Sequence, residues 1–203
     1  MGELVPGAFA TLGAIKRELA IYFLVFGGLN LVEEVMPGIP VIVGFVLYWL
    51  GHYLLFQALM RENGWLEDDR KRVFRFFGMA CLIAIAIAIG LNFLIIPGII
   101  LGAKWIMAPA FLVARDRGVF AALGDSWEAS SGNTMHLSLA YAIIGGAWAL
   151  GLAMLGAVVD GTSAKSIVIG TYFHFLPVLM MGLSIYAYGV LAQPSNSLVE
   201  VFE

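Results

Sequence analysis

The sequence predicts an all-α, polytopic membrane bundle: about six transmembrane helices and two amphipathic helices at one interface, in a single domain over 1–203. Three observations carry that expectation. The 203 residues are 61% apolar and 12% charged, with a mean hydropathy of +0.93, far above the balance of a water-soluble domain. Apolar runs of about 20 residues recur, the length a helix rising about 1.5 Å per residue needs to cross about 30 Å of hydrocarbon. The basic residues gather at alternate connections between those runs.

Taken in order, the first span falls at about 19–36. The stretch before it, 7–18, places Phe9, Leu12, Ile15 and Leu19 on one helical face with Arg17 and Glu18 away from it, the pattern of a helix lying in the interface. Glu3 and Glu18 beside Lys16 and Arg17 interrupt any early apolar core, so the first span is expected to be retained as an anchor. The second span, 39–60, follows the turn residues MPGIP. Spans three and four, 73–96 and 98–114, form a pair. Arg75 and Arg115 are separated by about 60 Å of helix, two crossings with a turn expected at Pro97 and Gly98. The run AIAIAIG alternates with a strand-like period, but both alternating residue types are apolar and the run lies inside a span, so helix is expected. A second interfacial helix is expected at 118–131. Val119, Phe120, Leu123 and Trp127 cluster within about 100°, and Asp125 and Glu128 face away. Spans five and six take 134–159 and 166–192, with Gly132 and Asn133 suited to the turn and N-cap before span five.

Orientation follows from the basic residues. Lys16, Arg17, Arg61, Arg70, Lys71, Arg72, Arg75, Arg115 and Arg117, nine of the 11, fall on one side if both termini are cytoplasmic; Lys104 and Lys165 fall elsewhere. The opposite connections are short, so any activity lies within or at the membrane.

The two interfacial stretches echo each other. GAFATLG at 7–13 and GVFAALG at 118–124 share five of seven residues, and the pairs Gly27-Gly28 and Gly145-Gly146 follow at a spacing longer by seven. A partial repeat of interfacial helix plus helical pair is the preferred reading, against a chance likeness of two Gly- and Ala-rich segments. Both helices should then lie flat at one face, with Phe9 and Phe120 pointing into the membrane.

The stretch from Pro97 to Asn133, PGIILGAKWIMAPAFLVARDRGVFAALGDSWEASSGN, resembles a bacterial membrane-domain family found fused to, or named after, glycerophosphoryl diester phosphodiesterases. Pro97, Gly98, Lys104, Pro109, Ala122, Leu123, Ser126, Trp127 and Gly132 look like that family's positions. The resemblance implies an integral domain of the bacterial cytoplasmic (inner) membrane. Phosphodiesterase chemistry in the namesakes belongs to a separate soluble barrel, whose clustered His, Glu and Asp ligands this chain lacks.

Few residues invite chemistry. Lys104 lies about 10 Å in from its turn, where a charge is costly and is paired, snorkelled or facing water. A pair with Glu33 or Glu34, lining a small outward-facing polar pocket for a lipid headgroup, is one expectation. Its alternative is a snorkelling lysine, with glutamates that simply end span one. His52 and His174 sit inside spans two and six and can relay protons, ligate a metal or hydrogen-bond structurally. Neither has a carboxylate at i+3 or i+4, so a structural role is expected and no metal site or cofactor is. His136 is read as interfacial. Ser184 lacks the Gly-x-Ser-Gly context of an intramembrane protease, and ordinary interhelical hydrogen bonding is expected of it. The phosphoalcohol transferases' multiple-aspartate pattern is missing, and LEDDR at 66–70 reads as a solvated turn. Cys81, the single cysteine, allows neither a disulfide nor a Cys-based metal site within one chain. Small-residue ridges at Gly145, Ala149, Ala153 and Ala157 and at Ala80, Ala84 and Ala88 are expected to pack intramolecularly, and Pro109 and Pro177 to kink their spans.

These readings favour a non-enzymatic membrane protein that engages lipids or a partner membrane protein, a second copy of itself included, and no nucleic acid. A small transporter or channel module is the alternative, and an enzyme acting on lipid headgroups the second.

Overall fold

Apolar runs bounded by glycine, proline and charge become helices in the computed structural model. It describes residues 3–35, 39–66, 72–93, 95–159 and 162–193, with backbone alone at 33–35, 39–42, 93 and 162–166. Ten helical segments and no strand occur among the described residues: α1 (Leu4–Gly13), α2 (Lys16–Val35), α3 (Ile39–Glu62), α4 (Val73–Phe93), α5 (Ile95–Lys104), α6 (Ala108–Ala114), α7 (Val119–Ala129), α8 (Thr134–Val158), α9 (Thr162–Phe173) and α10 (Phe175–Leu191). The pairs α5/α6 and α9/α10 each make one broken span. Among the described residues, five helices are long and apolar enough to cross a membrane: Val43–Glu62, Val73–Asn92, Ile95–Ala114, Thr134–Val158 and Ile167–Leu191. The helix at the expected first span, α2, is 20 residues long but carries Lys16, Arg17, Glu18, Glu33 and Glu34, and is not one of the five. Large apolar side chains such as Leu24, Phe74, Met135 and Val158 stand exposed around the bundle, a surface that fits a membrane protein.

Local chemistry sets the helix ends. At the end of α3, Gly64 takes φ +69°; its N–H donates to the Arg61 carbonyl and the Trp65 N–H to the Met60 carbonyl, the paired bonds of a glycine-terminated helix. Trp65 is thereby set against Tyr188, with ring centroids 5.4 Å apart. Pro109 and Pro177 each lie in the first turn of a half-helix, α6 and α10, where a missing N–H costs nothing.

The densest packing lies at the Arg-rich end. Every residue of α6 except Pro109 is buried, and α10 beside it buries Leu183, Ile185, Ala187 and Tyr188. Asp116, held at φ +47°, accepts from Arg72 Nε at 2.8 Å and Arg75 Nη1 at 3.0 Å, tying the start of α4 to the loop after α6. The Arg115 guanidinium lies over Phe111 and Tyr188 and donates to the Ala192 carbonyl at 2.9 Å.

Four expectations are corrected. α5 begins at Ile95, so Pro97 and Gly98, expected to form a turn, are helical, and Gly98 packs against Gly90 and Leu91 so closely that a Cβ there meets the Leu91 nitrogen at 2.7 Å. Asn133 precedes α8 without a side-chain cap bond, while Gly132 does take a positive φ of +84°. The Ala80, Ala84 and Ala88 ridge lines a cavity, and Ala149, Ala153 and Ala157 stand exposed on α8, so neither ridge joins two helices of this chain.

The fourth concerns the interfacial pair. Neither helix lies flat on the bundle. α1 runs antiparallel along α10: Gly7 meets the Tyr186 ring, and further along Ala8 and Leu12 meet Gly182. α7 folds back along α6 until Ser126 and Trp127 reach Lys104. Phe9, Phe120 and Trp127 are exposed, Phe120 by 81%, but Leu12 and Leu123 are only 6% exposed and face protein. An apolar stripe cannot tell a neighbouring helix from lipid, so each face divides between the two.

Candidate intramembrane cavity

Beyond Phe77, α4 leaves α3, and its alanines leave a space that α6, α8 and α10 close from behind. Near the Arg-rich end the two helices touch through Phe76 against Tyr53 and Phe56, and Phe77 against Trp49. The space has two adjoining lobes, of about 460 and 170 Å³, with Phe76, Ile83, Pro109, Tyr141, Pro177 and Met181 walling both. Ala84, Ala88 and Leu91, exposed on α4, make the larger lobe's mouth. No Asp, Glu, Lys or Arg lines either lobe among the described residues. Their polar side chains include Tyr48, Trp49 and His52 in the larger, Ser184 in the smaller and Tyr141 in both.

Ser184 is 2% exposed, and its Oγ has no hydrogen-bond partner among the described residues; Trp49 Nε1 is likewise buried without one there. The bonding expected of Ser184 within the chain is therefore missing, a cost of about 1–3 kcal/mol for a buried polar group unless something in the lobe supplies the bond.

The second feature is a polar cluster behind the larger lobe. His52, 4% exposed, bonds the Tyr48 carbonyl through Nδ1 at 2.7 Å. Tyr22 Oη stands 3.2 Å from Nδ1 and 3.3 Å from Nε2; with Nδ1 donating to the Tyr48 carbonyl, Nε2 is the nitrogen left to accept. The same hydroxyl lies 3.2 Å from Nδ1 of His174, the single non-helical residue between α9 and α10. The chain of bonds closes with Tyr22 donating to His52 and accepting from His174. Phe26 and Tyr48 pack around His174, with ring centroids at 4.4 and 5.4 Å. Two histidines 122 positions apart are thus joined by a tyrosine on a third helix. Sequence reasoning missed Tyr22 and Tyr48; the signal was their spacing, Tyr22 four before Phe26 and Tyr48 four before His52. Tyr22 also walls a separate apolar groove of about 300 Å³ between α2 and α3, so the Tyr22–His52 bond is a septum between two spaces. Among the described residues no group of three or more His, Cys, Asp or Glu side chains is placed to hold a metal.

Lys104 is placed elsewhere. At 9% exposure, its ammonium lies 3.4 Å from the Trp127 carbonyl and from Ser131 Oγ, and 5.0 Å from the Trp127 ring centroid. The Trp127 carbonyl belongs to the last turn of α7, the negative end of that helix, so a long-range bond, a dipole and an aromatic face together hold the cation. Its own carbonyl accepts from Ser126 Oγ at 2.8 Å. The carboxylates of Glu33 and Glu34, like LEDDR beyond Leu66, lie outside the described residues; α2 packs chiefly on α3 and α9, and α5 on α4 and α8. His136 is exposed at the start of α8.

Lys104, Ser126 and Trp127 meet where α7 turns back on α5 and α6. No protein-family model, no curated protein and no solved structure matches the chain.

Proposed function

We propose that this chain is a multi-pass membrane protein of six spans, α2, α3, α4, α5/α6, α8 and α9/α10, which binds a membrane lipid without transforming it. The observation that carries the reading is the cavity between α3 and α4. It has apolar walls, a side mouth at Ala84 and Ala88, and a volume in the range of small-molecule sites. Water is a poor occupant for such walls, whereas an acyl chain from the surrounding bilayer meets them without loss. The gathering of Arg61, Arg72, Arg75, Arg115 and Arg117 at one end of the bundle supports a cytoplasmic placement of that end and of both termini; the bacterial inner membrane is what the resemblance of 97–133 implies.

Native mass spectrometry of the protein extracted with its lipids tests this. Lipid adducts are expected to persist after delipidation that strips annular lipid, and to disappear when the mouth is filled by Ala84→Phe. Adducts indifferent to that substitution would remove the cavity from the account.

A second reading rests on one observation: both broken spans turn their prolines, Pro109 and Pro177, to the same cavity, as interrupted helices do in transporters. In a Cys81→Ser background, Ser184→Cys distinguishes the two. A water-filled pathway predicts labelling by a membrane-impermeant maleimide, and a lipid site predicts protection.

A further inference from the structure

We infer that the lipid is uncharged, its polar end a hydroxyl or carbonyl group that enters the smaller lobe and bonds Ser184. This rests on the lipid-binding reading and names the class of ligand. The lobes differ in the way an amphiphile's two ends differ. The smaller, about 170 Å³, is the more enclosed by the bundle and contains Ser184 Oγ, a buried hydroxyl with no partner among the described residues. The larger, about 460 Å³, leads past Ala84, Ala88 and Leu91 to the mouth and has the apolar walls a hydrocarbon chain requires. Trp49 Nε1 adds an unpartnered donor in that lobe, available to an ester carbonyl further along the molecule.

Charge excludes the common alternative. A phosphate drawn into these lobes loses its hydration and finds no Lys or Arg among their described lining residues. The nearest buried cation along α5, Lys104, is already held at the end of α7. A hydroxyl needs only one donor and one acceptor, and Ser184 supplies both.

The full chain, delipidated in a neutral detergent, is offered dioleoylglycerol or dioleoylphosphatidylglycerol, lipids with the same chains and different polar ends, and adducts are counted by native mass spectrometry. The expected result is a one-to-one adduct with dioleoylglycerol and none of comparable occupancy with the phospholipid. Ala84→Phe and Ala88→Phe, at the exposed mouth where folding is least disturbed, each abolish it; Ala149→Phe on the outer face of α8 leaves it intact. Ser184→Ala weakens it roughly five- to tenfold, the loss of one neutral hydrogen bond. Equal binding of both lipids, blocked by both mouth variants, overturns the uncharged class and leaves lipid binding standing, as does an adduct unaffected by Ser184→Ala. Adducts that ignore both mouth variants overturn the cavity and the lipid-binding reading together.

Discussion

Tyr22 and His174 lie 152 positions apart in the chain and 3.2 Å apart at Oη and Nδ1, and the same hydroxyl reaches His52 on α3. One oxygen therefore ties α2 to α3 and to the break in the last span. Tyr22→Phe keeps the ring that packs on Phe26 and removes only that oxygen, leaving the buried His52 and the half-buried His174 each short of a bond. The expected loss is about 1–2 kcal/mol, since interhelical hydrogen bonds in membrane bundles contribute roughly 0.6 kcal/mol on average and up to about 1.7. Thermal unfolding in detergent measures it. His174→Phe combined with Tyr22→Phe should cost less than the sum of the two, because both remove the same bond; strict additivity would show that the bond does not form.

Lys104 gives a prediction that separates its two readings. If the end of α7 holds the ammonium, Lys104→Met loosens that end by about 1 kcal/mol, the combined scale of a helix-terminal charge and a cation–π contact. Hydrogen exchange should rise at Ser126 to Ser131, and Trp127 emission should shift. Glu33→Gln with Glu34→Gln should leave both signals unchanged. A matching response from the glutamates would restore the pairing with Lys104.

The helices were legible because length and apolar content decide them locally; 73, 114 and 134 are helix ends in both sequence and structure. What α1 and α7 pack against was not. Where lipid and protein are equally apolar, the stripe through Leu12 or Leu123 has no preferred side, and only the close approach at Gly182 or the bond from Ser126 to Lys104 decides. Lys104 shows the same limit from another direction: counting from the turn gives depth along a helix but not the face it uses. The polar cluster needed three helices from opposite ends of the chain, and the cavity is an absence of side chains at Ala80, Ala84 and Ala88, residues whose usual meaning is close packing. Small residues signal space; the fold determines whether a helix or a ligand takes it.

Asp116 is the next test. It bridges buried Arg72 and exposed Arg75 from a left-handed backbone that aspartate and asparagine tolerate better than most residues. Asp116→Ala removes the charge and adds strain, and should cost about 1–3 kcal/mol, below the roughly 3–5 of breaking a fully buried pair because the carboxylate is partly exposed. Asp116→Asn keeps the backbone tolerance and one acceptor, so it should recover part of the loss. If alanine and asparagine are equally destabilised, charge rather than conformation accounts for the whole effect.

Gly182 and Gly7 are the two places where α1 approaches α10 too closely for a side chain, and they should respond unequally. A Cβ at Gly182 meets the Ala8 carbonyl oxygen at 2.6 Å, a backbone atom that moves only if the whole of α1 moves, whereas at Gly7 the obstacle is the Tyr186 ring, which can rotate. Gly182→Ala is therefore expected to displace α1, costing about 1–3 kcal/mol as overpacking does, and Gly7→Ala to cost less. Gly13→Ala, with nothing within 4 Å of its Cβ and a helical position, should be neutral or slightly stabilising. Hydrogen exchange across Leu4 to Gly13 reads the displacement directly: faster in Gly182→Ala, little changed in Gly7→Ala, slower or unchanged in Gly13→Ala. An α1 that exchanges fast in the unmodified protein, and stays so in all three, would instead be a helix held by the bilayer surface, with its contact to α10 contributing nothing measurable.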